Sequence, residues 1–568
     1  MLVPAPKPSR ARGQVFPMTM KWWGWGEEGR TFPLPDPDRF WGLVASRLGE
    51  PGVSPRIESP DAIALPPSRL EGEALAALRR IVGEDAVAAD TAQRAIYSLG
   101  KGYRDTVRIR RGEVPHPTDA VVRPQTDEQI AALLAEAARR GIAVIPFGGG
   151  TSVVGGVEPT GDRPTITLHL QRLARVLAID PVSATATVEA GILGPALEAE
   201  LNARGFTLGH FPQSFQFSSL GGWIATRSGG QKSTLYGKIE ERVQSLRLAF
   251  PGGTIVTRDV PAAAAGPDLN QLITGSEGIL GVITQATMRL APFPQRSECR
   301  GYLFPAFPAG VEAAREMMQR ELTPAVLRLS DEPETAINLV FRSTPRGLAA
   351  AIEKVGGWYL ARHGVSLDRA SLLILGFEGE EAAVRSQWQR AKPILRRCGG
   401  VSVGQSPGRA WERSRYEAPY LRDVLLDHAI LADTLETATT WDRYLTLHAV
   451  VRDAIAAALG DRSLVMAHLS HSYPHGGSIY FTFIARQEEG REIEKWERAK
   501  TAATQTIIDH GAALSHHHGI GSDHRPWMAA YLGPGGARAL AALKQALDPQ
   551  DIMNPGKLTP MDEGTARG

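Results

Sequence analysis

At roughly 100–200 residues per domain, a chain of 568 residues holds about three structural units, which excludes a small binding module. Hydrophobic residues make up 43% and charged residues 22%, so disorder, collagen and coiled coil have no compositional basis. The formal net charge is +2 and no run of five or six like charges occurs, which argues against nucleic acid and for a small-molecule partner. Cys299 and Cys398, the only two cysteines, cannot build a disulfide framework, and this fits a reducing compartment. No apolar run reaches the ~18 residues of a membrane-spanning helix. The opening MLVPAPKPSRARGQVFP lacks the apolar region of a secretion signal, and the closing ARG is no peroxisomal tripeptide. The expected location is the cytoplasm, with which peripheral membrane contact is compatible.

In chain order, residues 1–114 read as an N-terminal helical and wrapping segment, rich in Pro and Trp at MKWWGWGEEG and RFWGLVASRLGE and helical around EALAALRRIVGE. Residues 115–294 interleave strands and helices. AVVRP is a short strand, Thr126 and Gln129 form a capping box, and Ile130, Leu133, Leu134, Ala137 and Ala138 recur at helical spacing until Gly141. IAVIP then runs as a buried strand into FGGGTSVVGG. ATATVEAG alternates as a half-buried strand, PALEAELNARG is a short helix, and LRLAFPGGTIVT is a hairpin around Pro251, Gly252 and Gly253. Residues 295–445 turn more helical and charged, with a strand at LLILGFEG, and read as a mixed cap domain. Residues 446–568 read as its C-terminal part, a strand at SIYFTFIA and helices around a histidine-rich loop. The predicted class is α+β.

Pro146-Phe147-Gly148-Gly149-Gly150-Thr151-Ser152 offers successive backbone N–H groups without Cβ atoms in the way, plus two hydroxyls, which suits a pyrophosphate. It is neither a Walker loop nor a G-x-G-x-x-G fingerprint, and a triple glycine alone is more often a tight turn. Gly221 to Gly230 and Gly275 to Thr284 add two more stretches where backbone can approach a ligand. Three such segments in one domain point to a large, flat, phosphate-bearing cofactor.

PFGGGTS, GGWIATRSGG and GSEGILGVIT resemble the FAD-binding domain of the vanillyl-alcohol-oxidase, or PCMH-type, flavoproteins, across about Pro115 to Pro294. Within that superfamily, MKWWGWG, LRLSD around Arg328, YLRD around Arg422, and SIYFTF with SHHHGIG resemble the alkyldihydroxyacetonephosphate synthase family, so the similarity spans nearly the whole chain. The resemblance implies a two-subdomain FAD-binding domain with a mixed α/β cap. It implies FAD contacts from Pro146, Phe147, Gly148, Gly149, Gly150, Thr151, Ser152, Ser219, Thr226, Arg227, Ser228, Glu277, Gly278, Ile279, Leu280, Gly281, Val282 and Ile283. Gln213 stands near the place of a family aspartate. Thr151 occupies the neighbourhood where some relatives attach flavin through histidine, so FAD is expected to be non-covalent.

Tyr480 lies on a strand with Ser478 and Thr482 on the same face. On its own it is a strand tyrosine with a surface hydroxyl. By resemblance it is the acid/base tyrosine, whose pKa must fall from ~10 under nearby positive charge, while Ser478 stands where the family often has cysteine. His516, His517 and His518 match the catalytic histidine loop that polarises a leaving carboxylate. Arg422 matches the arginine that holds a substrate phosphate, and Arg328 another active-site arginine; without the family both read as solvated. The implied reaction trades the acyl chain of acyl-dihydroxyacetone phosphate for a fatty alcohol, with the substrate carbon held covalently at flavin N5 and no net redox. Lipid substrates imply an apolar tunnel and contact with a bilayer, and a homodimer is the commonest closed assembly.

HGIG and LDPQDIMNPGKL also resemble the FAD-dependent D-lactate and glycolate dehydrogenases, which makes a 2-hydroxyacid dehydrogenase the alternative. Eight of the fourteen histidines lie from His468 to His524, and some members of that branch bind metal through such residues. Here His517 replaces the glutamate usual before HGIG and the Gly-Asp-Gly-Asn pattern is missing, so no metal is expected. A flavin-binding protein without catalysis is a third reading, opposed by the complete set of Tyr480, His516–His518 and Arg422.

Overall fold

The computed structural model describes residues 20–340, 357 and 360–560; the first seventeen residues and the final tripeptide, on which the targeting expectations rest, lie outside them. Three large sheets organise the described residues, beside a two-stranded pairing of Phe206–Thr207 with Ala291–Pro292. The first has four strands in the order Val87–Ala88, Ala120–Val122, Thr165–His169, Ala143–Phe147, with the last two pairings parallel. Parallel strands need a crossover on their faces, and Asp127–Arg140 supplies one. Thr126 caps it by accepting the Gln129 N–H at 3.2 Å, Gly141 ends it in the left-handed region at φ 67°, and Ile130, Leu133, Leu134 and Ala137 are buried. The expected capping box closes one residue early, because the Gln129 carboxamide accepts from the Gln125 amide at 2.7 Å.

The second sheet is antiparallel, with strands Val176–Asp180, Thr185–Glu189, Val282–Arg289, Val243–Phe250 and Gly253–Val256; the last two form the expected hairpin. The third has seven antiparallel strands in the order Val401–Gly404, Arg296–Phe304, Ser371–Gly379, Val326–Ser330, Ser463–Tyr473, Gly476–Arg486, Ile430–Thr440. Its alternation assigns two faces. Leu435, Val465, Ala467, Ile479, Phe481 and Phe483 pack against helices Phe307–Gln319, Glu381–Arg397, Trp441–Leu459 and Glu492–Asp509. Each fully buried phenylalanine there contributes roughly 2 kcal/mol of transfer free energy. The opposite face carries Ala432, Thr434, Glu436, His468, Tyr480, Thr482 and Ile484 and is left open for a ligand.

The sequence boundaries shift accordingly. Strand Val87–Ala88 pairs with Ala120–Val122, so the division at 114/115 cuts the first sheet. The division at 445/446 falls inside helix Trp441–Leu459, and the segment beyond it supplies, besides the strand expected at SIYFTFIA, now Gly476–Arg486, a second eleven-residue strand Ser463–Tyr473. The tail then returns to the first sheet. Val144 donates to Ile552 at 2.7 Å and accepts from Asn554 at 2.9 Å, and the buried Lys544 ammonium donates to the Ile279 and Met553 carbonyls.

Among the histidines that burial holds neutral, His169, His210 and His524 fall to about 3 and His471 to about 4. Unfolding returns each to ~6.5, so the folded state binds fewer protons below that value, and this stability, complete above pH ~6.5, is lost as pH falls toward the folded values. Glu277 and Asp105, raised by burial to about 7 and about 6, act in the opposite sense but are outnumbered. The free energy of urea unfolding is therefore expected to be lower at pH 5.5 than at pH 7.5 by roughly 2 kcal/mol; equal values at the two pH values would contradict this burial account.

Candidate active site

A cavity of about 550 Å³ lies between the glycine-rich turns and the open face of the seven-stranded sheet, within the range of small-molecule sites. Pro146 to Ser152, Ser219, Thr226, Ser228, Glu277, Gly278, Gly281 and Ile283 line it. Arg227, Ile279, Leu280 and Val282 do not. Arg227, at φ 49°, turns its guanidinium onto the Thr274 and Gln271 carbonyls at 2.9 and 2.8 Å. Ile279, Leu280 and Val282 point into the apolar cores beneath the turn.

The turn itself leaves room only for glycine. A Cβ on Gly149 would sit 1.7 Å from the Phe217 carbonyl oxygen and one on Gly148 2.1 Å from Ser219 Oγ, while Gly150 has φ 65°. Among the described residues the amides of Gly149, Gly150, Thr151 and Ser152 donate to no protein acceptor, which leaves them to an anion. These residues fit the diphosphate of FAD. Gln213, in the place of the family aspartate, donates to the Arg415 carbonyl at 2.6 Å and accepts from Gln231 at 3.0 Å.

On the sheet face, Glu436, Tyr480 and His468 form one cross-strand rung. The Tyr480 hydroxyl donates to Thr434 Oγ1 at 3.0 Å, and its ring stacks on His468 with centroids 4.8 Å apart. Burial pushes Tyr480 up to about 12, with Asp433 and Glu436 adding to the rise and the Thr434 bond and Arg328 opposing it. The expected depression by positive charge is thus reversed, because one guanidinium does not offset full desolvation. That guanidinium is paired within the site rather than free in solvent. Arg328 donates to Glu334 and to His468 Nε2, each at 2.8 Å, so the His468 proton sits on Nδ1, which faces Glu334 at 3.0 Å. Burial disfavours the Glu334 charge, yet His468 and Arg328 hold it down at about 2.

Beyond Tyr480 the same face turns apolar. Thr482 and Ile484 follow on its strand, with Met466 and Leu464 on one neighbour and Thr434 and Ala432 on the other. Tyr480 to Ile484 spans about 13 Å. Phe40, Leu43, Val44 and Leu48 of helix Pro37–Leu48 line the far side, together with Leu421 and Leu425. The segment read as a wrapping piece therefore forms one wall of the cavity.

Glu436 organises the histidine loop. It accepts the His516, His517 and His518 amides at 2.6, 3.1 and 2.9 Å and the Ser515 hydroxyl at 2.7 Å. Burial opposes its charge, but the three histidines, as they take up protons, and the Ser515 bond hold it well below the ordinary carboxylate value, while at neutral pH the four donors meet the carboxylate. His517 and His518 line the cavity with ring centroids 6.0 and 5.6 Å from that of Tyr480. His516 does not; its Nε2 meets the Tyr473 hydroxyl at 2.6 Å. Burial lowers all three histidines, so they are neutral. From the other side Glu277 accepts the Ile520 and Gly521 amides at 2.6 and 2.7 Å. Ser478, fully buried, bonds Ser470 and the His471 amide and lies outside the cavity wall.

His471 with His516 and His517, and Glu436 with His517 and His518, place ligand-type atoms within 4.8 Å of one another. Those groups already have protein partners: Glu436 takes four donors, and His471 Nε2 bonds the Gly230 carbonyl at 3.1 Å. Sequence reasoning missed Glu436, Glu334, Thr434 and the role of His468. The one usable signal was the even spacing of Ala432, Thr434 and Glu436 on a strand.

Residues 118–259 match the model described as "FAD binding domain" and residues 294–558 that of "FAD linked oxidases, C-terminal domain". An alkyldihydroxyacetonephosphate synthase of Trypanosoma brucei brucei is 35% identical over 89% of this chain and 84% of its own, and one of Dictyostelium discoideum 33% identical over 95% and 93%. A solved alkyldihydroxyacetonephosphate synthase superposes with a TM-score of 0.82 at 31% identity, covering 95% of this chain and 99% of that one. A glycolate oxidase subunit of Bacillus subtilis is more distant, 26% identical over 78% of this chain and 89% of its own.

Glu436→Ala leaves three amides and a hydroxyl unsatisfied, and is expected to lower the free energy of urea unfolding by on the order of 3 kcal/mol. Glu436→Gln, which keeps acceptor capacity on one atom, is expected to lose less; equal stability of Glu436→Ala and the parent would contradict the bonding described.

Proposed function

Because the chain belongs to the alkyldihydroxyacetonephosphate synthase family, we propose that it is the FAD-dependent enzyme that exchanges the acyl chain of acyl-dihydroxyacetone phosphate for a fatty alcohol, without net redox. One observation carries this reading: a single sheet face passes from the acid–base rung of Tyr480, His468 and Glu436 to an apolar corridor about 13 Å long roofed by helix Pro37–Leu48. A small 2-hydroxyacid has no use for that corridor, which sets the dehydrogenase reading aside. The flavin, when bound, supplies an electron sink beside the substrate carbon, and Thr151 leaves its attachment non-covalent.

The chain's own residues do the rest. Arg422 lines the cavity and has a buried Nε–H without a partner among the described residues, a donor suited to a phosphate oxygen. Tyr480 takes the proton from C1 in its ionised form. The neutral His517 and His518 offer ring N–H groups to the departing carboxylate. The Arg328–Glu334–His468 set fixes the His468 ring against Tyr480. Among the described residues no helix is long and apolar enough to cross a membrane. Lipid substrates support a peripheral membrane contact, the paucity of cysteine supports a cytoplasmic setting, and we assign a homodimer as the commonest closed assembly.

With Tyr480 held up at about 12, its base form is scarce at neutral pH and grows with pH. Ether formation from palmitoyl-dihydroxyacetone phosphate is therefore expected to rise close to tenfold per pH unit between pH 7 and 9. Tyr480→Phe is expected to retain flavin and make no ether; an active phenylalanine variant would overturn the assignment.

A further inference from the structure

The aromatic stretch Met20 to Gly26 takes no part in the chemistry above, yet it is closely held. It folds back on itself, the Lys21 amide donating to the Gly26 carbonyl at 2.8 Å. Gly26 has φ 84°, and a Cβ there would sit 2.1 Å from the Tyr420 ring; one on Gly24 would sit 2.5 Å from the Asp423 carboxylate. Only glycine allows so close an approach to helix Ala418–Asp427.

That helix presents two faces. Ala418, Leu421, Arg422 and Leu425 line the cavity. Glu417, Tyr420, Asp423 and Asp427 recur at helical spacing on the other side, and each is engaged by the N-terminal part of the chain. Glu417 pairs with Arg30. The Tyr420 hydroxyl accepts the Glu27 amide at 3.0 Å. Asp423, 3% exposed, accepts the Lys21 ammonium at 3.2 Å and the Trp25 amide at 3.0 Å. Asp427 pairs with Arg110 and with Arg56.

Arg422 itself donates through Nη1 to the Lys101 carbonyl at 2.6 Å and through Nη2 to Thr106 Oγ1 at 3.3 Å. Lys101 is a crossing point. Its amide donates to the Ser152 carbonyl of the glycine-rich turn at 2.6 Å, and its ammonium donates to the Lys21 and Trp22 carbonyls at 2.8 and 3.1 Å. The guanidinium is thereby referenced both to the FAD-side turn and to the aromatic turn.

Resting on the phosphate role of Arg422 given above, we propose that Asp423 and Lys101 are positioning residues for phosphate recognition, clamping helix Ala418–Asp427 through the Lys21–Gly26 turn so that Arg422 meets a phosphate ester at a fixed distance from the flavin side of the cavity. They do not touch the phosphate. They set where its partner stands, and a misplacement of about 1 Å is enough to weaken such a contact severely.

The test is calorimetric titration of dihydroxyacetone phosphate into FAD-loaded full-length protein. Asp423→Asn keeps an acceptor for the Trp25 amide but loses the charge facing Lys21. Its affinity is expected to fall about tenfold, with flavin content and visible spectrum unchanged, KM raised in parallel and kcat within about twofold. In an Arg422→Ala background the same change is expected to have no further effect. Wild-type affinity in Asp423→Asn, or the same loss with and without Arg422, would overturn the proposal. Should Asp423→Asn fail to load flavin, Lys101→Met, which keeps the backbone bonds to Ser152 and Arg422, enters the same cycle with the same expectations; loss of flavin in both variants overturns the proposal in favour of a general folding role. Arg422→Ala with undiminished affinity would instead refute the phosphate assignment, and the positioning role with it.

Discussion

Glu436 keeps a full negative charge at 3% exposure, a state that desolvation forbids unless hydrogen bonds replace the lost water. Three consecutive amides and a hydroxyl do so, and the chain that supplies them is the histidine loop. The charge and the loop conformation therefore depend on each other. Because Glu436 stands directly across the sheet from Tyr480, the same bond set fixes the histidines relative to the tyrosine. Glu277 grips the following amides of Ile520 and Gly521 from the flavin side, so the loop hangs between the two halves of the molecule on two buried carboxylates. Their environments differ: Glu436 takes four donors and stays ionised, whereas Glu277 takes two and burial raises it to about 7.

From that anchor the rest of the site is a matter of strand period. Residues two apart share a face, so three neighbouring strands stack an acid–base rung, a threonine and methionine rung and an aliphatic rung in order. The helices behind the sheet take the alternate residues and hold the whole ladder rigid. A lipid substrate fits such a gradient because one end carries phosphate and a reacting carbon while the other is hydrocarbon. The glycine turn on the opposite wall presents amides to an anion, and the returning tail, through Lys544 and residues 552–554, braces the strand from which that turn springs.

Much of this was legible in the sequence where the signal was local. The helix begun at Thr126 and ended at Gly141, the hairpin at Pro251, and the three glycine-rich segments follow from capping and turn chemistry. FAD and the synthase family were legible from motif resemblance, as were Tyr480, His517, His518, Arg328 and Arg422 as residues that meet in one cavity. What escaped was set by distant pairing. Thr434 and Glu436 sit in an unremarkable TLETATT, and only the register with Gly476–Arg486 places them beside Tyr480. Arg227 matched a motif by position, but its positive φ turns the side chain away. The depression expected for Tyr480 counted the charge of Arg328 and not the desolvation that accompanies it. Two of the domain edges failed because elements run across them, strand Val87–Ala88 joining the first sheet over the 114/115 division and helix Trp441–Leu459 spanning 445/446, whereas the division at 294/295 falls where the match to the C-terminal oxidase domain begins.

The central claim is that this cavity performs an exchange of chains on a phosphate-bearing lipid with the flavin returning unchanged. The most direct measurement supplies the purified FAD-loaded protein, under anaerobic conditions, with palmitoyl-dihydroxyacetone phosphate and labelled hexadecanol, and follows labelled ether product and flavin absorbance together. Labelled ether with no lasting bleaching of the flavin is the predicted result. No ether, together with bleaching by a 2-hydroxyacid such as D-lactate, would contradict the account.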